Sequence, residues 1–305
     1  RTINGGIELS KPKYISDRIN GGIQEKNLFG VFNQIVWDIN TRTDLITGLR
    51  FDNHIDTLVI SPRLAFSYEY NDKWIYRVAY GHGFRAPSFM ESLIDWDHIQ
   101  FGYSVLGNPD LKPEISKGIT INAEFRNRNN FQGSILIYHN SFSNLIKDYA
   151  IRPGLLSYRN IERAYFTGLE IISKWIINQR LSSSINLNYV INKDEDNNII
   201  PNTIPLSAGA RFSYAPGNQK LLFTLNLKGV GKYYPQEFDP TSGDYNSSGL
   251  FVNPYLIMDA QIIYKINSLY KIILGSKNFG NHTNQAYGPY LGRTVYCEIK
   301  TNYKH

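Results

Sequence analysis

Histidine, carboxylate and aromatic side chains are the groups in this sequence with chemistry to offer, and their spacing offers little for catalysis. The six histidines stand at 54, 82, 98, 139, 282 and 305, with no H-E-x-x-H or similar metal-binding spacing. Ser, His and Asp all occur, yet no G-x-S-x-G elbow does, so the sequence reads as a non-enzyme. One stretch concentrates the remaining candidates. In "DWDHIQFGY", His98 is flanked by Asp95 and Asp97 and accompanied by Trp96, Phe101 and Tyr103. Such carboxylates suit a cation or a hydroxyl-rich ligand, whereas a lone loop histidine by default faces solvent. Further along, "GKYYPQEFDP" carries Tyr233, Tyr234 and Phe238, and "NQAYGPYLGR" carries Tyr287 and Tyr290. Aromatic side chains of this kind bind a flat or hydrophobic ligand with few rotamers to freeze. Equally, they form the girdle of a membrane barrel.

What positions these residues is a chain that alternates almost throughout. In "KLLFTLNLKG", Leu221, Phe223, Leu225 and Leu227 take one face, and Leu222, Thr224, Asn226 and Lys228 the other. "PRLAFSYEY", "GITINAEFR", "LSAGARFSY" and "TVYCEIKTNY" repeat the pattern, which is that of strands with one apolar and one polar face. About fourteen such strands are expected, near 1–9, 27–38, 43–53, 59–70, 73–81, 116–126, 131–143, 162–177, 181–191, 205–215, 220–231, 255–266, 270–278 and 292–303. Many are longer than ordinary strands and match the roughly 9–11 residues of a tilted strand crossing a bilayer.

The connections add to this. Short polar turns ("INTR", "ND", "NRNN", "NQR", "APGNQ", "NSL") alternate with long segments near 10–26, 82–115, 144–161, 192–204, 232–254 and 279–291. Only the connection near 54–58 is short where a long one is due. Strict short–long alternation is the habit of an up-and-down barrel in the bacterial outer membrane. A soluble sandwich explains the alternation within strands but not that of the connections. The expected fold is therefore all-β, a transmembrane antiparallel barrel wall with its C-terminus periplasmic and loop 82–115 outside the cell.

Composition agrees. The 305 residues are 42% hydrophobic and 14% aromatic, with 22 Tyr and 16 Phe, and mean hydropathy is −0.33. No run approaches the roughly 20 apolar residues of a membrane helix. The net charge of +6 is dispersed, which argues against nucleic acid as a partner. A single cysteine, Cys297, excludes an internal disulfide framework. "RTINGGIELS" has no apolar core of a signal peptide.

"YGHGFRAPSFMES" followed by "GNPDLKPE" resembles the paired boxes of TonB-dependent outer-membrane receptors. The resemblance extends through "LITGLRFDNH", "SPRLAFSYEYND", "NIERAYFTGLEI", "GSKNFGN" and "GPYLGRTVYCEIKTNY". It marks Gly83, Phe84, Arg85, Ala86, Pro87, Asn108, Pro109, Leu111, Pro113, Glu114, Gly168, Glu170, Gly292 and Arg293 as structural motif residues. Arg85 is expected to fork onto rim carboxylates or carbonyls and is also a candidate ligand contact. The resemblance implies TonB-coupled uptake of a scarce bulky nutrient, a ferric siderophore, haem or cobalamin. It also implies energy from the TonB–ExbB–ExbD system, outer-membrane lipid as surroundings, and no intrinsic cofactor.

Family barrels have about 22 strands around a plug, so residues 1–305 are expected to be the C-terminal part of a longer receptor without its plug. A passive porin, a non-transporting adhesion barrel and the remnant of a split receptor are the other readings. In haem receptors of the family a histidine between the two boxes ligates iron, and His98 stands at a similar spacing. Trp96 and Tyr103 would then stack on the porphyrin. The family closes on an aromatic residue, whereas here Tyr303 is followed by Lys304 and His305.

Overall fold

The computed structural model describes residues 1–54, 57–127, 130–217, 220–235, 237–239, 244–246 and 250–301. β1 (Thr2–Ser10) is followed by a small hairpin of β2 (Lys13–Ile15) and β3 (Ile23–Glu25). Then come β4 (Leu28–Asn40), β5 (Thr43–His54), β6 (Thr57–Glu69) and β7 (Trp74–Arg85). The connection beyond β7 holds α1 (Phe89–Leu93), β8 (Asp95–His98), a 3-10 turn (Ile99–Phe101) and β9 (Tyr103–Leu106). The wall resumes with β10 (Glu114–Asn127), β11 (Phe131–Arg152), β12 (Leu155–Ile176), β13 (Leu181–Asp194), β14 (Leu206–Tyr214) and β15 (Leu221–Val230). A second small hairpin, β16 (Glu237–Asp239) with β17 (Asp244–Asn246), precedes β18 (Tyr255–Lys265), β19 (Tyr270–Lys277) and β20 (Thr294–Thr301).

One 16-stranded sheet contains the wall, in the order β1-β4-β5-β6-β7-β10-β11-β12-β13-β14-β15-β18-β19-β20. Every wall strand pairs antiparallel with its sequence neighbour, so the meander expected from the alternation is the one found. Among the described residues β1 and β20 have one partner each and do not pair with one another. Tyr303, Lys304 and His305 lie outside the described residues.

Four of the short turns share one chemistry. The Oδ1 of Asn71, Asn178 and Asn267 accepts hydrogen bonds from two following backbone N–H groups, and that of Asn40 from one. Each is an Asx turn, which reverses the chain while satisfying its own backbone.

Register sorts the side chains into two faces. Arg211 lies opposite Asn226, and Asn226 opposite Asp259; Arg211 Nε donates to Asn226 Oδ1 at 2.7 Å. Phe212, Leu225 and Ala260 form the adjacent row on the other face. Lys228 shares the polar face with Asn226, as the alternation requires. Polar-face charges are paired: Arg77 with Glu124 at 2.7 Å and Arg50 with Glu8 at 2.8 Å across strands, and Arg50 with Asp52 at 2.6 Å along its own strand. Apolar-face residues stand exposed, with Ile121 and Ile137 both 51% accessible. Their polar-face neighbours Leu136, Tyr138 and Asn140 are half-buried, so the sheet curls with its polar face inward. A soluble protein would not leave such a continuous apolar face to water; a lipid-facing wall does so along every strand.

Three expectations change. Segment 144–161 is not a loop: β11 and β12 are 22 residues each and pair nearly to their ends. The turn between them is only Pro153 and Gly154, the latter at φ +78°, where a side chain would be strained. Roughly half of this hairpin stands above the 9–11 residues a bilayer accommodates. The long loop narrows from 82–115 to 86–113 and carries a helix and a hairpin of its own. Finally, the sheet is not purely antiparallel, since β9 pairs in parallel with the start of β12, Leu155 opposite Ser104.

Candidate functional site

At the long-loop end, residues 11–27, 86–113 and the raised half of the β11–β12 hairpin pack into one body. Its centre is more deeply buried than most of the wall: Ile19 and Ile94 are 4% exposed, and Leu111, Ser157 and Ala164 are also buried. Burying an isoleucine side chain contributes about 1.5–3 kcal/mol, so this small core holds the three segments as a unit. Backbone bonds tie segment 11–27 to the loop, from Asn20 N to Leu93 O and Asp95 N to Arg18 O. Tyr14 stacks on Phe89 at 5.8 Å and donates to Met90 Sδ.

The motif residues build this body. Arg85 and Glu114 face each other across β7 and β10. Arg85 Nε and Nη2 donate to the two Glu114 oxygens at 2.8 and 2.6 Å, and Nη1 to Glu91 at 2.9 and 3.0 Å. The guanidinium fork matches two carboxylates at once. Glu114 is buried and also accepts from Ile146 N in the hairpin. Ser88 and Glu91 form a capping box that starts α1. Burial acts to raise the Glu91 carboxyl, but hydrogen bonds from Arg85 and Ser88 outweigh it and hold the group below the usual carboxylate range. Gly83 sits where a Cβ would press on Ser116 Oγ, and Pro87 is buried just past the strand end.

The second box is stitched to β12. Asn108 Nδ2 donates to Tyr158 O at 2.9 Å. Asn160 exchanges hydrogen bonds with the Lys112 backbone and donates to Asn144 O. Pro113 O accepts from Asn144 Nδ2. Near the chain's other end, Asn278 is buried, accepts from His282 N and donates to the carbonyls of His282 and Leu291. Arg293 reaches back to Phe279 O at 2.9 Å, and Gly292 leaves room for the Asn281 side chain.

The aromatic candidates fall into separate groups. His98 lies between Trp96 at 4.3 Å and Phe101 at 4.2 Å, with Tyr103 at 5.5 Å and Arg18 over the Trp96 ring at 4.5 Å. Asp97 Oδ1 is engaged locally, accepting from Ile99 N and Ser104 Oγ, while the Asp95 side chain is exposed. Tyr233, Tyr234 and Tyr287 belong to the loops after β15 and β19. Lys232 Nζ lies 3.5 Å from the Phe251 ring centroid, Tyr234 meets Phe251 edge-on, and Tyr255 stacks on His282 at 4.7 Å. Burial pushes the Tyr233 hydroxyl above its ordinary value, with Tyr255 and Tyr290 adding to the shift. The side chain of Phe238 lies outside the described residues. Among the described residues no cluster of His, Cys, Asp and Glu forms a metal site.

Sequence reasoning missed the contributions of Tyr14, Arg18 and Ile19, and those of Glu91, Asn144 and Asn160. One of these was readable: Ser-x-x-Glu at 88–91 is a helix-start signature. The asparagines carry no local signal, because their partners are 16 to 48 residues away.

Residues 5–281 match the family model described as TonB dependent receptor-like, beta-barrel. The chain belongs to this TonB-dependent receptor β-barrel family. Among curated relatives, the iron-regulated outer membrane virulence protein of Vibrio cholerae is 25% identical over 229 residues, which cover 68% of this chain and 33% of that protein. Among solved structures, a variant of the ferric enterobactin receptor of Pseudomonas aeruginosa superposes with TM-score 0.79 at 18% identity. That match covers 98% of this chain and 50% of the receptor. A siderophore receptor of the same bacterium gives TM-score 0.76 at 20% identity, covering 98% of this chain and 51% of that one. The receptor barrel described here therefore spans about half the length of the solved receptors and a third of the curated relative.

Proposed function

We propose that this chain is wall and outer loops of an outer-membrane receptor that takes up a ferric siderophore with energy from TonB. The observation that carries the reading is the family match over residues 5–281, joined to a wall with one lipid-type face and one charged face. The relatives' names concern iron and siderophores, and this favours a ferric siderophore over haem or cobalamin. In this reading the packed body of loops is extracellular and the Asx turns and C-terminus are periplasmic. The remaining strands and a plug, with its contact to TonB–ExbB–ExbD, lie outside residues 1–305. The rigid loop body then frames the mouth, and the Tyr233, Tyr234 and Tyr287 loops supply aromatic contacts for the chelate.

An iron-starved strain lacking its other receptors tests the cargo directly. Supplied with this receptor, it grows on at least one of a panel of ferric catecholates and hydroxamates, and on neither haemin nor cobalamin-dependent selection. Growth on haemin alone would replace the siderophore reading.

His98 offers a separate check. Its ring stacks on Phe101 and lies tilted against Trp96, a packing that stabilises the hairpin without any ligand. Titration of the purified receptor with haemin is expected to give no bound-haem Soret band, either in the parent or in His98→Ala. A band that His98→Ala removes would make His98 an axial ligand, since stacking by Trp96 or Tyr103 holds a porphyrin but not its metal.

A further inference from the structure

The outward face of the wall is apolar along most of its surface, with one exception. Followed strand by strand in register from Ile121 and Ile137, its positions carry no Asp or Glu among the described residues. Up to the tip of the raised hairpin, its Lys and Arg fall only on the neighbouring strands β10 to β13. Lys147 and Arg159 face each other high on the hairpin. Lower down, one row crosses four strands: Lys117 opposite Ser141, Ser141 opposite Tyr165, and Tyr165 opposite Lys193. Arg163, opposite Ser143, stands one step above it.

The charge of this patch is unbalanced. Lys117, Arg163 and Lys193 are exposed, and none has an ion-pair partner among the described residues. Inner-face cations behave differently, since Arg50, Arg77 and Arg85 are all paired. The patch points away from the lumen and lies in mid-wall, far from the edges β1 and β20, so neither a plug nor further wall strands would cover it. Its depth is set by β11: Ser141 is the eleventh residue from the short-turn end, and about 9–11 residues cross a bilayer. A cation facing hydrocarbon at mid-membrane is costly, whereas at the interface the cost falls away. The patch therefore sits at head-group level, above the exposed Ile119, Ile121, Ile137 and Ile191.

We propose that this patch holds the phosphates of a bisphosphorylated glycolipid of the surrounding leaflet. Arg163 and Lys193 are diagonal neighbours, about 7–8 Å apart, and can close on one phosphate through charge-assisted hydrogen bonds. Lys117 is three strand spacings from Lys193, about 14 Å, and takes a second phosphate. Between them Ser141 and Ser143 form a floor of small side chains that leaves room for sugars. Tyr165, stacked on His139 at 6.2 Å, adds an amphipathic ledge of the kind found at membrane interfaces. Acyl chains then run down the isoleucine lane. A lipid with one phosphate satisfies only one end of the patch. The inference rests on the outer-membrane reading with the loop body outside, but not on TonB-coupled uptake, because lipid binding in detergent requires no transport.

Native mass spectrometry of the full receptor in detergent, titrated with bisphosphorylated lipid A, dephosphorylated lipid A or phosphatidylglycerol, tests it. The bisphosphorylated lipid is expected to bind as a single adduct, and the other two much more weakly. Combining Lys117→Gln, Arg163→Gln and Lys193→Gln weakens that adduct at least about tenfold, while the receptor keeps its heat-modifiable migration. Lys228→Gln, which removes a cation from the inner face, leaves it unchanged. Equal binding of dephosphorylated lipid A would overturn the proposal, as would equal binding of phosphatidylglycerol. An adduct that survives the triple substitution, or that Lys228→Gln weakens as much, would do the same.

Discussion

In an Arg85→Ala receptor, the amides of Phe89–Leu93 and Asp95–Leu106 exchange with solvent far faster than in the parent, while those of β13 to β15 do not change. The reason lies in one buried carboxylate. The Glu114 side chain is 11% exposed and that of Arg85 46%, and Glu114 also takes the Ile146 amide. Removing one partner of a fully buried pair costs about 3–5 kcal/mol, and the half-exposed guanidinium brings this down to about 2 kcal/mol. Local opening of that size accelerates exchange about thirtyfold in the unit it releases. Arg85→Lys restores the charge but not a fork that reaches Glu91 and Glu114 together, so it recovers only part of the protection. Exchange unaltered by Arg85→Ala would mean that the buried Ile19–Ile94 core alone holds the loops.

Ile137→Lys is expected to destabilise the folded barrel by about 2–4 kcal/mol, because Ile137 faces lipid near the middle of the membrane. It is the seventh residue of β11 from the short-turn end, and about 9–11 residues cross. Asn226→Lys, on the inner face beside Arg211, is expected to cost far less, since the lumen hydrates the ammonium. Urea titration of refolding into vesicles separates the two. Equal penalties would place both faces in similar surroundings and exclude a lipid-facing wall.

The wall was legible in the sequence because each strand carries its own period-two signal, as Leu221 to Lys228 show, and because Asn turns mark the reversals. Loops were less legible. Residues 144–161 look like a connection, yet Leu145 to Arg152 pair with Leu155 to Ile161 across the hairpin; their polar and apolar residues meet the loop body on one side and water on the other, which erases alternation. The Arg85–Glu114 fork joins residues 29 positions apart, and only strand register reveals it. The same holds for the outward basic patch, since nothing in the order of Lys117, Arg163 and Lys193 along the chain predicts that they share a surface. His98 shows the converse: its spacing between the boxes suggested a ligand, and the structure packs it among Trp96, Phe101 and Tyr103.

The claim that this wall belongs to an energised receptor is tested most directly by measuring uptake and surface binding of radiolabelled ferric siderophore in cells with and without TonB. The account predicts that deleting TonB abolishes uptake while binding at the cell surface persists. Uptake that continues at the same rate without TonB would contradict it, and would make the barrel a passive pore.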